Sequence, residues 1–181
     1  MNVAQAVQRG VALGLERLDA QLLVLYVLGQ AAHDRAWLMA HDTDVLPPQA
    51  ASMLETLAAR RVAGEPLAYL TGHKEFYGLD LVVDNRVLDP RPDTETLVEW
   101  ALEVLPHETS ARVIDLGTGS GAIALALKAA RPHLTVIALD YSTDALAVAQ
   151  ANAQRLQLDV QCIQGSWLDS VEGRSRDRPV S

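Results

Sequence analysis

Cysteine is almost missing from this chain. Cys162 is the single one, so no intramolecular disulfide framework can form, and the usage fits a reducing cytosol. Basic residues are also in short supply, Lys+Arg numbering 15 against 23 Asp+Glu for a formal net charge of -8. A surface of that sign repels phosphate backbones and argues against non-specific nucleic-acid binding as the main activity, though not against a protein partner that itself works on RNA. No long apolar run is present: Leu22 to Leu28 is the longest, far short of a membrane span. Met1 to Gly10 lacks the basic and apolar regions of a secretion signal. No internal repeat or low-complexity tract is visible. What remains is 181 residues, 49% hydrophobic and 21% charged, enough to bury a core in one or two domains. A cytoplasmic protein, away from membranes, is the expectation.

The opening stretch reads as short helices with brief connections. Val3 to Arg9 stops at Gly10, and Leu18 to Leu28 carries Asp19 near its start and ends at Gly29. Asp34 caps Arg35 to Ala40. Pro47-Pro48 opens a helix through Val62, with Ala51, Leu54, Leu57 and Ala58 at three- and four-residue spacing and Gly64 as its stop. Pro66 precedes Leu67 to Leu70, ended by Gly72. Five such elements make a helical bundle. Beyond Gly72 the period changes to two short strands, Lys74 to Tyr77 and Leu79 to Val83, around Gly78. Asp93 or Thr94 then caps a helix that ends before Pro106. From Arg112 the pattern is β-α-β-α-β, the strands being Arg112 to Leu116, Thr135 to Leu139 and Val160 to Gln164. Helices Ala122 to Ala130 and Ala145 to Leu156 separate them. Such alternation implies a parallel sheet.

The strongest motif is Val113-Ile114-Asp115-Leu116-Gly117-Thr118-Gly119-Ser120-Gly121. Strand, glycines, then helix: a ligand can approach the turn closely and meet the unpaired amides of the helix start. Gly117-x-Gly119-x-x-Ala122 also satisfies the relaxed dinucleotide fingerprint, with Asp140 about twenty residues on. Glycines alone do not separate the two. Asp115, two residues before the first glycine, suits a cationic ligand group better than a pyrophosphate, and S-adenosylmethionine carries an amine and a sulfonium but no phosphate. The competing role for Asp115 is an acid satisfied by nearby backbone donors. Asp140 can accept from ribose hydroxyls or cap the turn before Ser142-Thr143-Asp144. At the third strand's end, Ser166 can hydrogen-bond a purine and Trp167 can stack on it, or Trp167 can be an ordinary core anchor. His33, His41, His73, His107 and His133 show no metal-ligand spacing. Cys162 reads as an inert strand thiol, Arg60-Arg61 as a solvated helix end, and Ser120 and Ser142 lack a triad signature.

These motifs, with Gly72-His73-Lys74-Glu75-Phe76-Tyr77-Gly78, Pro90-Arg91-Pro92-Asp93-Thr94-Glu95, Arg17-Leu18-Asp19-Ala20 and Arg60 to Pro66, resemble the bacterial peptide chain release factor N5-glutamine methyltransferase family (PrmC/HemK). The glycine motif is generic to class I methyltransferases; Pro90 to Glu95 after a helical domain is far more specific. The resemblance implies methyl transfer from S-adenosylmethionine to the glutamine of the release factors' Gly-Gly-Gln loop. Gly117 to Gly121 would hold the methionine portion, Asp140 the ribose, and Trp167 would lie by the adenine. It also implies an α/β chain in three parts: a helical substrate-recognition domain over 1–72, a β-hairpin connector over 73–92, and the first half of a Rossmann-like methyltransferase domain over 93–181. No metal is implied, and a monomer is expected if the chain folds.

An amide nitrogen is a poor nucleophile because its lone pair is delocalised, so such a site must orient the amide and accept from its NH2. The family uses an Asn-Pro-Pro-Tyr motif after a fourth strand. None occurs here, where Arg174, Arg176, Arg178 and Pro179 make a poor central strand. Asp89 stands where the family carries an apolar residue. From these departures the chain is expected to be C-terminally truncated and to retain cofactor binding at best, and, with one edge of its first parallel strand unpartnered, to be aggregation-prone or only marginally folded in its C-terminal half. Two other readings are carried: a non-catalytic release-factor-binding module, and an NAD-dependent oxidoreductase.

Overall fold

Asn2 and Gln5 open the chain with a reciprocal cap. The Asn2 side chain accepts from the Gln5 amide at 2.8 Å and the Gln5 side chain accepts from the Asn2 amide at 3.0 Å, satisfying two donors that helix α1 (Val3–Ala12) would otherwise leave bare. This computed structural model describes residues 1–105 and 110–166, and the chain divides into two units, Met1–Thr71 and Gly72–Ser181.

In the first unit, α1 does not stop at Gly10. It runs on to Ala12, and the chain turns at Gly14, whose φ is +105°. Gly10 serves packing instead: a Cβ there would come within 2.9 Å of the Ala20 Cβ on α2 (Arg17–Val27). The missing side chain lets two helices approach closely. Asp34 caps α3 (Arg35–Ala40) by accepting from the Trp37 amide at 3.1 Å. Helix α4 (Pro48–Val62) begins behind Pro47, as expected, and α5 (Leu67–Thr71) follows. Leu23, Val24, Leu25, Leu54 and Ala58 lie at the centre of the buried cluster, each leucine contributing about 1.5–3 kcal/mol on burial. Arg61 is not simply solvated. Its guanidinium donates to Asp19 at 2.6 Å, joining the end of α4 to the first turn of α2, while Arg60 pairs with Glu65.

The second unit opens on an antiparallel hairpin, β1 (His73–Phe76) with β2 (Leu79–Val82). Tyr77 and Gly78 both take positive φ, +50° and +75°, the backbone of a turn whose twist matches the strands it joins. Phe76, Leu81 and Val83 are fully buried. Asp89, half-buried, places an oxygen 3.3 Å from Lys74 Nζ on β1, which is what the acid does in a place where an apolar residue was expected. A short 3-10 turn, Pro92–Thr94, leads into α6 (Glu95–Val104). Neither Asp93 nor Thr94 caps this helix through its side chain. The carboxylate next along, Glu95, is turned instead to the hairpin, accepting from the Tyr77 amide at 2.9 Å.

Then come β3 (Arg112–Leu116), α7 (Ala122–Ala130), β4 (Thr135–Asp140), α8 (Thr143–Arg155) and β5 (Val160–Gln164). The three strands form a parallel sheet in the order β3-β4-β5, a partial Rossmann-like α/β fold. Val136 to Leu139 of β4 are all buried, as an apolar strand between two neighbours should be. Among the described residues β3 pairs on one side only, and its Val113 and Ile114 stay half-buried. Cys162 sits mid-strand on β5, where burial pushes its thiol pKa up, away from the reactive thiolate. No helix among the described residues is long and apolar enough to cross a membrane.

Candidate functional site: the carboxyl edge of the parallel sheet

Parallel strands all end on the same edge, and in open α/β sheets that edge is where ligands collect. Here β3 runs into the glycine turn, β4 into Asp140-Tyr141 and β5 into Gly165-Ser166. Between them lies a cleft of about 230 Å³ lined by Leu116, Gly117, Leu139, Asp140, Tyr141, Gly165 and Ser166. The first unit contains a larger groove, about 430 Å³, along α1, α2 and α3, but none of the candidate cofactor residues lines it. The convergence of three strand ends makes the smaller cleft the candidate site.

The glycine turn is held by its own amides. Gly117 and Thr118 both donate to the Leu139 carbonyl, at 2.8 and 3.0 Å, and Gly121 donates to Thr118 O at 2.9 Å. The Gly119 amide donates to Asp140 Oδ2 at 2.9 Å. Gly117, Gly119 and Gly121 have φ of +74°, +56° and +84°, conformations that L side chains rarely take. Nothing lies within 4 Å of where a Cβ would sit on Gly117 or Gly119, so both are glycine for backbone shape, and Gly117 leaves its side of the cleft open. Gly121 is constrained differently, with Ala149 Cβ of α8 at 3.3 Å from such an atom.

Asp140 occupies the middle of the site. Its second oxygen, Oδ1, accepts from the Ser142 amide at 2.9 Å. Both roles foreseen for it are compatible: it caps the turn before α8, and each carboxylate oxygen still has a lone pair for a further donor. Ser142 caps α8 through the Ala145 amide. Asp115 is turned into the fold. Its Oδ2 accepts from the Thr118 hydroxyl at 2.6 Å and from the Ala124 amide at 3.2 Å. Burial pushes its pKa up, those two hydrogen bonds pull it down, and the Asp140 charge adds a further upward push.

The sequence-selected residues therefore fall into two sets. Gly117, Asp140 and Ser166 line the cleft. Asp115, Thr118, Ser120 and Gly121 lie behind it, Thr118 and Ser120 being buried, where they shape the turn; Gly119 joins the sets through Asp140. Trp167 is outside the described residues. Four lining residues were not among the candidates: Leu116, Leu139, Gly165 and Tyr141, the last 79% exposed. Their signal was positional, since each is at or just past the carboxyl end of a strand. No group of three or more His, Cys, Asp or Glu among the described residues could hold a metal ion.

Residues 93–181, which hold this Rossmann-like sheet and the turn at its carboxyl edge, match the family model described as the methyltransferase small domain. Residues 4–72 match the PrmC N-terminal domain. The chain is 50% identical over 163 residues to the release factor glutamine methyltransferase of Bordetella pertussis, covering 90% of this chain and 59% of that protein. It is 45% identical over 166 residues to that of Salmonella typhimurium (91% and 58%) and 43% identical over 159 residues to that of Escherichia coli K12 (87% and 56%). The chain belongs to the release factor glutamine methyltransferase family. It spans a little under three fifths of the length of these curated relatives.

Proposed function

We propose that this chain supplies the cofactor-holding part of an S-adenosylmethionine-dependent release factor glutamine methyltransferase acting in the cytoplasm. The observation that carries the choice of cofactor is the state of the turn. The amides of Gly117, Thr118, Gly119 and Gly121 are bonded within the protein, so they form no cradle of donors for a pyrophosphate. Asp140 suits the ribose of either ligand, but Asp115 adds a carboxylate behind the turn that disfavours a pyrophosphate there. The same features suit a ligand that is cationic, free of phosphate and rich in hydroxyl donors. That counts against an NAD-dependent oxidoreductase.

Within this reading Asp140 accepts from the ribose hydroxyls, Gly117 and Gly119 let the ligand lie close to the backbone, and Ser166 with Trp167 meets the adenine. Asp115, Thr118, Ser120 and Gly121 keep the turn in shape. Bound S-adenosylmethionine supplies an electrophilic methyl group. The helical domain over 1–72 meets the release factor, 73–92 is the hairpin connector and 93–181 the partial methyltransferase domain. The sequence contains no Asn-Pro-Pro-Tyr, so the groups that orient the glutamine amide are not among these residues. The 181-residue polypeptide assayed alone binds cofactor and transfers no methyl group.

Calorimetric titration with S-adenosylhomocysteine and with NAD, side by side, tests the cofactor, and incubation with labelled S-adenosylmethionine and a release factor tests the transfer. Binding of S-adenosylhomocysteine but not NAD, without labelled glutamine, is the expected result. Preference for NAD overturns the reading of the turn, and labelled glutamine shows that these 181 residues orient the amide without an Asn-Pro-Pro-Tyr motif.

A further inference from the structure

Asn152, on α8, is the only fully buried polar side chain among the described residues, with no exposure at all, and it lines no part of the cleft. Burying an amide is unfavourable unless its polar atoms are bonded, and here they are. Oδ1 accepts from the Val82 amide at 2.8 Å; Nδ2 donates to the Val82 carbonyl at 2.9 Å and to the Ser120 carbonyl at 3.0 Å. Both Nδ2 hydrogens are thereby used. Toward Val82 the side chain behaves as a further strand would, exchanging both bonds with one residue of β2. Toward Ser120 it grips the glycine turn from behind. One turn earlier on the same helix, Ala149 abuts Gly121, and one turn later Arg155 reaches Asp80 on β2 at 3.3 Å.

We propose that Asn152 is a positioning residue that couples the hairpin to the cofactor turn, so that the ligand affinity of the turn depends on β2 being docked. The proposal rests on the cofactor reading above. The coupling has a simple physical form. Nδ2 cannot hold Ser120 O in place unless its other hydrogen and Oδ1 are fixed by Val82, because a planar amide orients all of its bonds together. Ordering the turn by a ligand therefore tightens the bonds to Val82, and loosening β2 loosens the turn, reciprocally.

Hydrogen exchange of the folded chain, read residue by residue with and without S-adenosylhomocysteine, tests this without any variant. The expected result is slower exchange of the Val82 amide on adding ligand, although Val82 lines no part of the cleft; no change there overturns the proposal. Asn152→Asp keeps the shape but removes both donors. It is expected to weaken S-adenosylhomocysteine about tenfold or more and to abolish the ligand effect at Val82. Affinity within twofold of wild type overturns the proposal. Val83→Ala thins the same hairpin's packing without touching the amide, so it loosens β2 and is expected to weaken S-adenosylhomocysteine in turn; faster exchange at Val82 in V83A with unchanged affinity overturns the coupling. If wild type binds no S-adenosylhomocysteine, the cofactor reading fails by itself. The coupling is then judged from ligand-free exchange: N152D must speed the Val82 and Gly121 amides together, and a change at Val82 alone refutes it.

Discussion

Gly119 and Asp140, 21 positions apart in the sequence, are joined by a single 2.9 Å hydrogen bond from the glycine amide to the carboxylate. That bond ties the turn after β3 to the end of β4. With Ser142 held by the other oxygen, Asp140 accepts on both sides. Asp140→Asn turns one of those acceptors into a donor facing an N–H. The expected cost is about 1–3 kcal/mol of stability, together with loss of most ligand affinity, read by urea denaturation and calorimetry. Unchanged affinity in D140N would show that the carboxylate serves the turn alone.

Gly121 and Gly64 both adopt positive φ, but only Gly121 has neighbours in the way. A Cβ at Gly64 meets nothing within 4 Å, whereas at Gly121 it meets Leu125 Cδ1 at 3.1 Å and Ala149 Cβ at 3.3 Å. Gly64→Ala should cost the backbone strain alone, about 1–2 kcal/mol. Gly121→Ala adds crowding of the order of 1–3 kcal/mol. Comparable losses in the two variants, by urea melts, would mean that α8 yields at Ala149 without cost.

Gly10 gives an opposite sign to ordinary helix chemistry. An interior Gly→Ala change usually gains up to about 1 kcal/mol. Because the new Cβ falls 2.9 Å from Ala20 Cβ, Gly10→Ala is expected to destabilise the first unit by about 1 kcal/mol net. A rise in melting temperature would refute close packing at that point.

Asp115 makes stability depend on pH in a sense contrary to most carboxylates. Its folded pKa is raised above the ordinary Asp value of 3.8, burial being the main cause. In the window between the two, the folded state binds more protons than the unfolded one, so this group's contribution falls as pH rises and levels off above the folded pKa. Asp115→Asn keeps an acceptor for Thr118 and Ala124 but does not titrate. The stability of D115N relative to wild type should therefore climb with pH through that window and then flatten. A difference that declines with pH would reverse the assignment of burial as the dominant effect.

Much of this was legible because the signals were local. Asp34 before Arg35, Pro47-Pro48 before a three-four apolar pattern, and the glycines after Leu116 each act within one turn of chain, and each helix or strand they imply is present. Gly10 misled because its partner, Ala20, belongs to another helix; a glycine that ends a helix and one that admits a neighbour look alike in one dimension. Thr94 and Asp93 looked like caps, but both belong to the 3-10 turn Pro92–Thr94, and Thr94 already has helical angles of -70° and -19° where a capping residue is extended. At the site, Asp140 and the glycines were readable from spacing. Tyr141 was not, since exposure at a strand end leaves no periodic trace, and neither was Asn152, an amide on a helix whose three bonds all reach other elements of the chain.

The order β3-β4-β5 also bears on how the chain acquires its shape. Among the described residues β3 and β5 each pair only with β4, Arg112 with Thr135 and Val136 with Val160, so each pairing must first close a loop that contains a whole helix. The helices of the first unit need no such long closure to begin forming. Contacts distant in sequence are slow to form, and a chain leaving the ribosome presents its amino end first. Residues 1–71 should thus reach their native contacts while β3 is still waiting for β4 to be synthesised, and β4 becomes the strand on which the timing of the whole sheet turns.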